Sequence, residues 1–250
     1  MEIEFKNINL KRKNKYLIKD LNFNLRENEI TGIIDESKIL KQILDGNEVE
    51  GEIILDKDKK IKYIEHAFLT KTVSDEFFLV KKEIDDNNYI EKVISSLNLV
   101  GLNKDYLNRN INTLSNFEKT LVMISLSIIT NPDVIIFDNV FAYLDKKHKT
   151  IIKSLIIELK KKYNKMVIVI DNDINILYEI CTYLIIFKNN KLVIDNNMEH
   201  AFNDLSIYDE YDLEIPFLIE FSSIANDYGK NIKYHKSIND LIKEVYRNEK

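Results

Sequence analysis

Residues 112–145, NTLSNFEKTLVMISLSIITNPDVIIFDNVFAYLD, decide the fold. A polar turn ends in Leu114-Ser115, and the apolar-rich run after it predicts a helix over 118–129. Pro132 stops that helix. The short apolar run Val134-Ile135-Ile136-Phe137 follows and terminates in Asp138. Four apolar residues, three of them β-branched, bounded by Pro and an acid, read as a buried parallel strand. A carboxylate at the carboxyl end of such a strand stands where open α/β sheets place their ligands. Seven residues further on, after Tyr143-Leu144, comes Asp145.

Outward from this stretch the pattern alternates between strand and helix. Residues 1–30 alternate in strand fashion, with a turn at 26–29, and 30–34 reads as the first buried strand. A helix is expected to begin over 39–44. Short strands are expected at 51–55 and 61–64, a mixed, loop-like segment at 66–88, and a helix at 89–99. Past residue 145 the reading is helix 150–163, strand 166–170, helix 174–180 and strand 183–187. The basic end Lys160-Lys161-Lys162 suits a helix C-terminus. Strand–helix–strand order implies a parallel sheet covered on both faces. Around 206–214 the pattern turns acidic and irregular. Pro216 then opens an apolar helix at 217–228 closed by Gly229, and a last helix spans 237 to about 246.

At 250 residues, with 45% hydrophobic and 31% charged residues, the composition is that of an ordinary globular chain. A net charge of −5 argues against a general nucleic-acid binder. Cys181 is the only cysteine and lies in an apolar run, so it reads as a buried structural thiol, with no disulfide or zinc framework within the chain. No apolar run approaches the roughly 18 residues of a membrane span, and MEIEFKNINL does not read as a signal peptide, so a cytoplasmic chain is expected. The four histidines, at 66, 148, 200 and 235, show no metal-ligand spacing.

Leu114-Ser115-Asn116-Phe117-Glu118, Pro132, Asp138-Asn139 and Leu144-Asp145 together resemble, without a gap, the second half of an ATP-binding cassette (ABC) ATPase. In that family a Leu-Ser-Gly-Gly-Gln signature opens a helix, a Pro follows fourteen residues after its Gln, the Walker B strand ends in Asp-Glu, and a Leu-Asp pair forms the D-loop. The tail sharpens the likeness. Leu213-Glu214-Ile215-Pro216-Phe217, then Ser237-Ile238-Asn239-Asp240-Leu241-Ile242, resembles the C-terminal helical extension of energy-coupling factor (ECF) transporter ATPases. The resemblance covers nearly the whole chain and is poorest at 31–47. It implies an α/β fold of the P-loop NTPase type, with a parallel core sheet, an N-terminal antiparallel β portion and a small C-terminal helical extension. The domain reading that follows is 1–200 for the cassette, with a helical subdomain at about 66–130, and 201–250 for the extension.

The same resemblance assigns the site residues and shows how far they depart from the family. A cassette wraps phosphates in a glycine-rich loop ending in Lys-Ser/Thr. Here the corresponding Ile34-Asp35-Glu36-Ser37-Lys38-Ile39 has no glycine, carries two carboxylates and is shorter by about three or four residues. Ser37 and Lys38 stand at the phosphate-binding positions, and Lys38 reads either as a remnant of the phosphate lysine or as a surface residue at a helix start. Asp138 takes the magnesium-organising position. The glutamate that polarises water is replaced by Asn139, and losing a general base costs about 10²–10⁴ in rate. The switch histidine is replaced by Asn172, and the Q-loop glutamine maps to His66, which reads equally as a surface loop histidine. The adenine-stacking aromatic falls at Arg12, with Tyr16 close by as a substitute or a plain strand tyrosine. In the signature, Asn116 and Phe117 replace the two glycines, while Ser115 survives as a phosphate contact or an N-cap. Asp145 survives as the D-loop acid or as a turn acid.

These substitutions imply a catalytically impaired cassette subunit, with ATP and Mg bound weakly or not at all. Its expected partners are a second, active ABC ATPase subunit, as a heterodimer rather than a homodimer, and a transmembrane transporter subunit; no nucleic acid is expected. The expected location is peripheral, on the cytoplasmic face of the cell membrane, serving micronutrient uptake. Phe68, Phe77 and Phe78 are candidate docking contacts or core residues. Two other readings stay open: a working ATPase whose loop is rebuilt around Ser37-Lys38, and a soluble scaffold that kept only the fold.

Overall fold

The computed structural model of the chain describes residues 1–13, 15–46, 48–65, 67–84 and 88–248. They form two compact units, one of Glu2–Ile54 with Asp171–Lys250, the other of Met1 with Leu55–Ile170. In the first unit, β1 (Glu2–Arg12) pairs antiparallel with β2 (Lys15–Arg26). Ile3 and Phe5, then Ile8 and Leu10 beyond a register shift, face inward and meet Leu21, Phe23 and Leu25, all buried. Phe5 and Phe23 are cross-strand partners with rings stacked 4.2 Å apart. The short strand β3 (Ile30–Asp35) is buried at every position and leads into the six-residue helix α1 (Ile39–Leu44). Then β4 (Val49–Ile54) pairs with the free side of β1, giving the order β2-β1-β4. Gly51, at φ 110°, is required there: a Cβ would lie 2.5 Å from the Asn7 carbonyl oxygen.

The second unit opens with β5 (Ile61–Ile64) and α2 (Val73–Leu79). The latter helix lies within the segment that the pattern reads as loop-like. Thr72 caps it, its hydroxyl accepting from the Asp75 N–H at 3.2 Å, and Val73 and Phe77 bury one i, i+4 edge. With one buried edge only two turns long, its period is too brief to be seen in sequence. Next come α3 (Tyr89–Leu99), α4 (Asn116–Ile128) and β6 (Val134–Asp138), then α5 (Lys146–Tyr163) and β7 (Met166–Ile170). The strands run parallel in the order β5-β6-β7, with Tyr63 beside Ile136 and Ile136 beside Ile168. Helix α5 starts four residues before the expected position because Asp145 caps it, accepting from the His148 N–H at 2.9 Å.

The chain then returns to the first unit with α6 (Ile174–Ile180), β8 (Tyr183–Lys188) and β9 (Lys191–Asn197), followed by α7 (Ser206–Glu210), α8 (Phe217–Asp227) and α9 (Ile238–Asn248). Strand β3 runs parallel to β8, Ile33 beside Ile185, and β9 turns back antiparallel on β8. That hairpin was not expected: its two-residue turn is Asn189-Asn190, both at positive φ, a weaker signal than Asn-Gly. The acidic segment at 206–214 contains α7, held by buried Tyr208, whose hydroxyl donates to the Ala201 carbonyl at 3.1 Å. Burial holds the tyrosine in its neutral form by pushing its pKa up.

Cys181 is buried, and burial likewise raises its thiol pKa, leaving an inert packing group. It packs against the backbone of Gly32 in β3, where an added Cβ would meet Cys181 Sγ at 2.9 Å. Gly32→Ala is therefore expected to destabilise the chain by about 1–3 kcal/mol through overpacking, and Cys181→Ala in the same chain to recover most of that loss. Urea midpoints of the two single variants and the double variant measure it; a neutral Gly32→Ala would contradict the contact.

Candidate functional site

Where β3 passes into α1, the polypeptide closes its own helix end. The Asp35 carboxylate, 5% exposed, accepts from the Ile39 N–H through Oδ1 and from the Leu40 N–H through Oδ2, each at 2.8 Å. Asp35's carbonyl accepts the Lys38 N–H at 3.1 Å, and Lys38 takes the left-handed conformation at φ 53°. This is a tight strand-to-helix turn with no span left for a wrapped loop. Ser37 and Lys38 are exposed, and Glu36 pairs with Lys188 at 3.2 Å. In the same unit Asn172 is exposed on the turn before α6, between Asp171, which accepts the Asp173 N–H at 2.9 Å, and Asp173, which caps α6. Tyr16 is half-exposed, with the ammonium groups of Lys11 and Lys19 4.8 and 4.5 Å from its ring centre, and Arg12 is exposed.

In the other unit Asp138 ends β6, buried at the carboxyl edge of the strand, and accepts from the Tyr63 hydroxyl at 3.2 Å. Asn139 follows at φ 53°, exposed, its N–H tied to the Ile170 carbonyl at 2.8 Å. Asp145 holds both the His148 N–H and the His148 ring, Nδ1 to Oδ2 at 2.9 Å. The His148 N–H, with the ring behind it, keeps the Asp145 carboxyl below the usual range.

Ser115 caps α4 in a reciprocal box: its Oγ accepts from the Glu118 N–H at 3.2 Å, and Glu118 Oε2 accepts from the Ser115 N–H at 2.8 Å. Glu118 Oε1 also accepts from the Tyr106 hydroxyl at 2.6 Å and from Arg109 at 3.0 Å. The Tyr106 hydroxyl first, then the Ser115 N–H, hold its carboxyl below the usual range, and the same bond raises the Tyr106 phenol. Phe117 stacks on His148, ring centres 4.1 Å apart. Ser115 and Asp145 are thus brought together through the Phe117–His148 pair, a link that motif spacing did not announce. His66 lies outside the described residues. Just after it, buried Glu76 accepts the Leu69 and Thr70 N–H groups and holds that loop.

The sequence profile of the family described as ABC transporter matches residues 18–142. The chain is 31% identical over 183 residues to the zinc import ATP-binding protein ZnuC of Rickettsia conorii, covering 69% of this chain and 76% of that protein. The chain belongs to the ABC transporter family. It is also 26% identical over 156 residues to the energy-coupling factor transporter ATP-binding protein EcfA of Malacoplasma penetrans, covering 62% of this chain. The chain spans about half the length of the first curated relatives it matches, 54% of EcfA and 44% of another. In fold it is similar to cbiO1 from Clostridium perfringens, part of the ABC transporter complex cbiONQ, at a TM-score of 0.70 and 19% identity, covering 88% of this chain and 98% of that one. The mixed α/β architecture, with parallel core strands and an antiparallel N-terminal sheet, is that of ABC cassettes.

Two features of this ABC chain escape motif reading: the Asp35 cap and the Glu118 hub. Asp35→Ala is expected to cost about 1–2 kcal/mol by uncapping α1, and Asp35→Asn less, since one acceptor remains. Because the Glu118 pKa is lowered on folding, its stabilisation is present above the unfolded value and is lost as pH falls through the folded one. Glu118→Gln should therefore cost about 1 kcal/mol at neutral pH and approach the parent in acid, once pH has fallen through the lowered folded-state value. Urea unfolding at the two pH values checks this; an unchanging gap would contradict the charge-assisted box.

Proposed function

We propose that this chain is the nucleotide-binding-domain subunit of an ABC/ECF-type transporter, catalytically impaired, pairing with an active ATPase subunit to energise micronutrient uptake. The reading divides it into a cassette at 1–200, with a helical subdomain at about 66–130, and an extension at 201–250. It sits peripherally on the cytoplasmic face of the membrane, and no described helix is long and apolar enough to cross one.

One observation carries this reading: the N–H groups at the start of α1 are taken by the chain's own Asp35 carboxylate. A phosphate oxygen brought within ~4 Å of that carboxylate would meet about 4 kcal/mol of repulsion at an effective dielectric constant of about 20. The attraction of a helix N-terminus for an anion is worth about 0.3–1 kcal/mol, so repulsion wins. Asp35, Glu36, exposed Ser37 and exposed Lys38 do not fit a triphosphate. The other supports are Asn139 in place of the base, Asn172 in place of the switch histidine, and Phe117 in the signature, where a glycine would let backbone approach phosphate. Asp138 remains for Mg and Asp145 for the D-loop, and Ser115 is engaged as a cap. No catalytic step is assigned to this chain; the chemistry falls to the partner.

For docking on a transmembrane subunit the candidates are Phe78, 68% exposed, with Phe68 and exposed Leu69. Phe77, a candidate from sequence, is a core residue and is withdrawn.

The test is titration of the isolated chain with Mg-ATP, followed by hydrolysis assays alone and with its membrane complex. No saturable binding is expected at about 1 mM nucleotide. Asn139→Glu should not create turnover, because the defect lies earlier, in binding. Micromolar affinity, or turnover that collapses on Asp138→Ala, would favour a working ATPase with a rebuilt loop. Purification free of any membrane complex would favour a scaffold.

A further inference from the structure

In the unit that holds the tail, three separate segments close around a cavity of about 280 Å³. Tyr178 comes from α6; Met198, Glu199 and Phe202 come from the turns after β9; Tyr234 and Lys236 come from the connection between α8 and α9. Each wall is pinned. Phe202 stands edge-on to Tyr178, ring centres 5.5 Å apart, and stacks on Tyr208 at 5.2 Å. The Met198 N–H donates to the Thr182 carbonyl at 2.9 Å, and the Lys236 ammonium donates to the Cys181 carbonyl at 3.0 Å. Tyr178, Met198 and Phe202 are buried, while Glu199, Tyr234 and Lys236 reach solvent.

Tyr178 is 5% exposed, yet among the described residues its hydroxyl has no hydrogen-bond partner. Buried tyrosines ordinarily find one, as Tyr208 does in the Ala201 carbonyl. The Tyr178 hydroxyl is not sealed off either, and the space it opens on is the cavity. Burial first, then the nearby Tyr234 phenol, push its pKa up to about 12, so at neutral pH it stays a donor. What it lacks is an acceptor. The two ionic groups of the wall, Glu199 and Lys236, are opposite in sign, so neither an anion nor a cation gains a net attraction. Aromatic walls favour a flat ring, whose edge and face contacts add to burial. Room is sufficient, since a cavity of about 150 Å³ holds benzene and the remainder admits a small polar substituent. We propose that this cavity binds a small, uncharged aromatic molecule bearing a carbonyl or ring-nitrogen acceptor, its ring against Tyr178, Phe202 and Tyr234 and its acceptor taking the Tyr178 hydroxyl. None of the six lining residues belongs to the nucleotide-site motifs.

The test uses the full chain carrying carbon-13 methyl-labelled methionine, which puts one reporter at the cavity, Met198, and others at Met1, Met123 and Met166. The probes are benzamide, benzoate and benzylamine, the same ring with a neutral, an anionic and a cationic group. Benzamide should shift the Met198 methyl resonance saturably, leave the other methyls in place, and bind at least about fivefold more tightly than either ion. Tyr178→Phe keeps the ring and removes the donor, and should weaken benzamide about fivefold, the worth of one hydrogen bond. Circular dichroism melting confirms that the variant is folded, and the ranking of the three probes on the parent chain is decisive without it. No Met198 shift at the solubility limit of benzamide overturns the proposal. So does equal binding of the three probes, a preference for either ion, or a Tyr178→Phe chain that binds benzamide as the parent does. A saturable shift at Met123 or Met166 in place of Met198 would seat the ring elsewhere and overturn it too.

Discussion

A buried carboxylate must be neutralised, hydrogen-bonded or discharged, and Asp35 meets that demand with two backbone N–H groups at 2.8 Å. The two bonds fix the first turn of α1 by occupying the N–H groups that a helix start leaves without partners. The bond pair also dictates the length of the connection. A strand end that caps a helix beginning four residues later leaves Glu36, Ser37 and Lys38 to form a single turn, with Lys38 forced to positive φ. The group that takes up the Ile39 and Leu40 N–H groups is thus a covalent part of the wall. The junction is therefore complete in itself, and its geometry does not wait on a ligand.

The same self-sufficiency recurs at the opposite motifs. Ser115, whose hydroxyl could face a phosphate, is spent in a reciprocal cap with Glu118, and Glu118 is held in turn by Tyr106 and Arg109. Asp145 is spent on the first turn of α5 and on the His148 ring, which itself lies against Phe117. Each polar residue that survives from a nucleotide-site pattern has an intramolecular structural partner that would keep it in place without nucleotide. For Ser115 and Asp145 that partner is a helix N-terminus, and for Asp138 it is the Tyr63 hydroxyl.

The parts of the fold that could be read in advance were those with a long or unbroken apolar signal. Val134-Ile135-Ile136-Phe137 with Asp138, the strand at 166–170 and the alternating β1 and β2 all follow from burial on one or both faces. What escaped was set by single side chains acting locally: Thr72 starting α2, Asp145 starting α5 early, and an Asn-Asn turn folding β9 back on β8. The site divided in the same way. Positions came from spacing, so Asp138, Asn139 and Asp145 could be placed on strand end and turn. Contacts did not, because the cap made by Asp35 and the stack of Phe117 on His148 depend on rotamers and on how elements approach, which no linear pattern encodes.

Fold and chemistry can part company in this chain because different residues carry them. The sheets and helices rest on Ile, Leu, Val and Phe at strand and helix periods, and those positions are intact. Phosphate binding in a cassette rests on glycines, a lysine and a glutamate that contribute almost nothing to burial. On the function proposed above, an Asp-capped turn in place of a glycine loop would remove flexible backbone from the unfolded chain and so leave stability unchanged or raised. Exposed apolar groups cannot be explained that way, since an unused stripe on α8 gains nothing for the isolated chain. Phe78, Phe217 and Phe221 stay outward, and exposed aromatic groups of that size gain burial only in contact with another molecule.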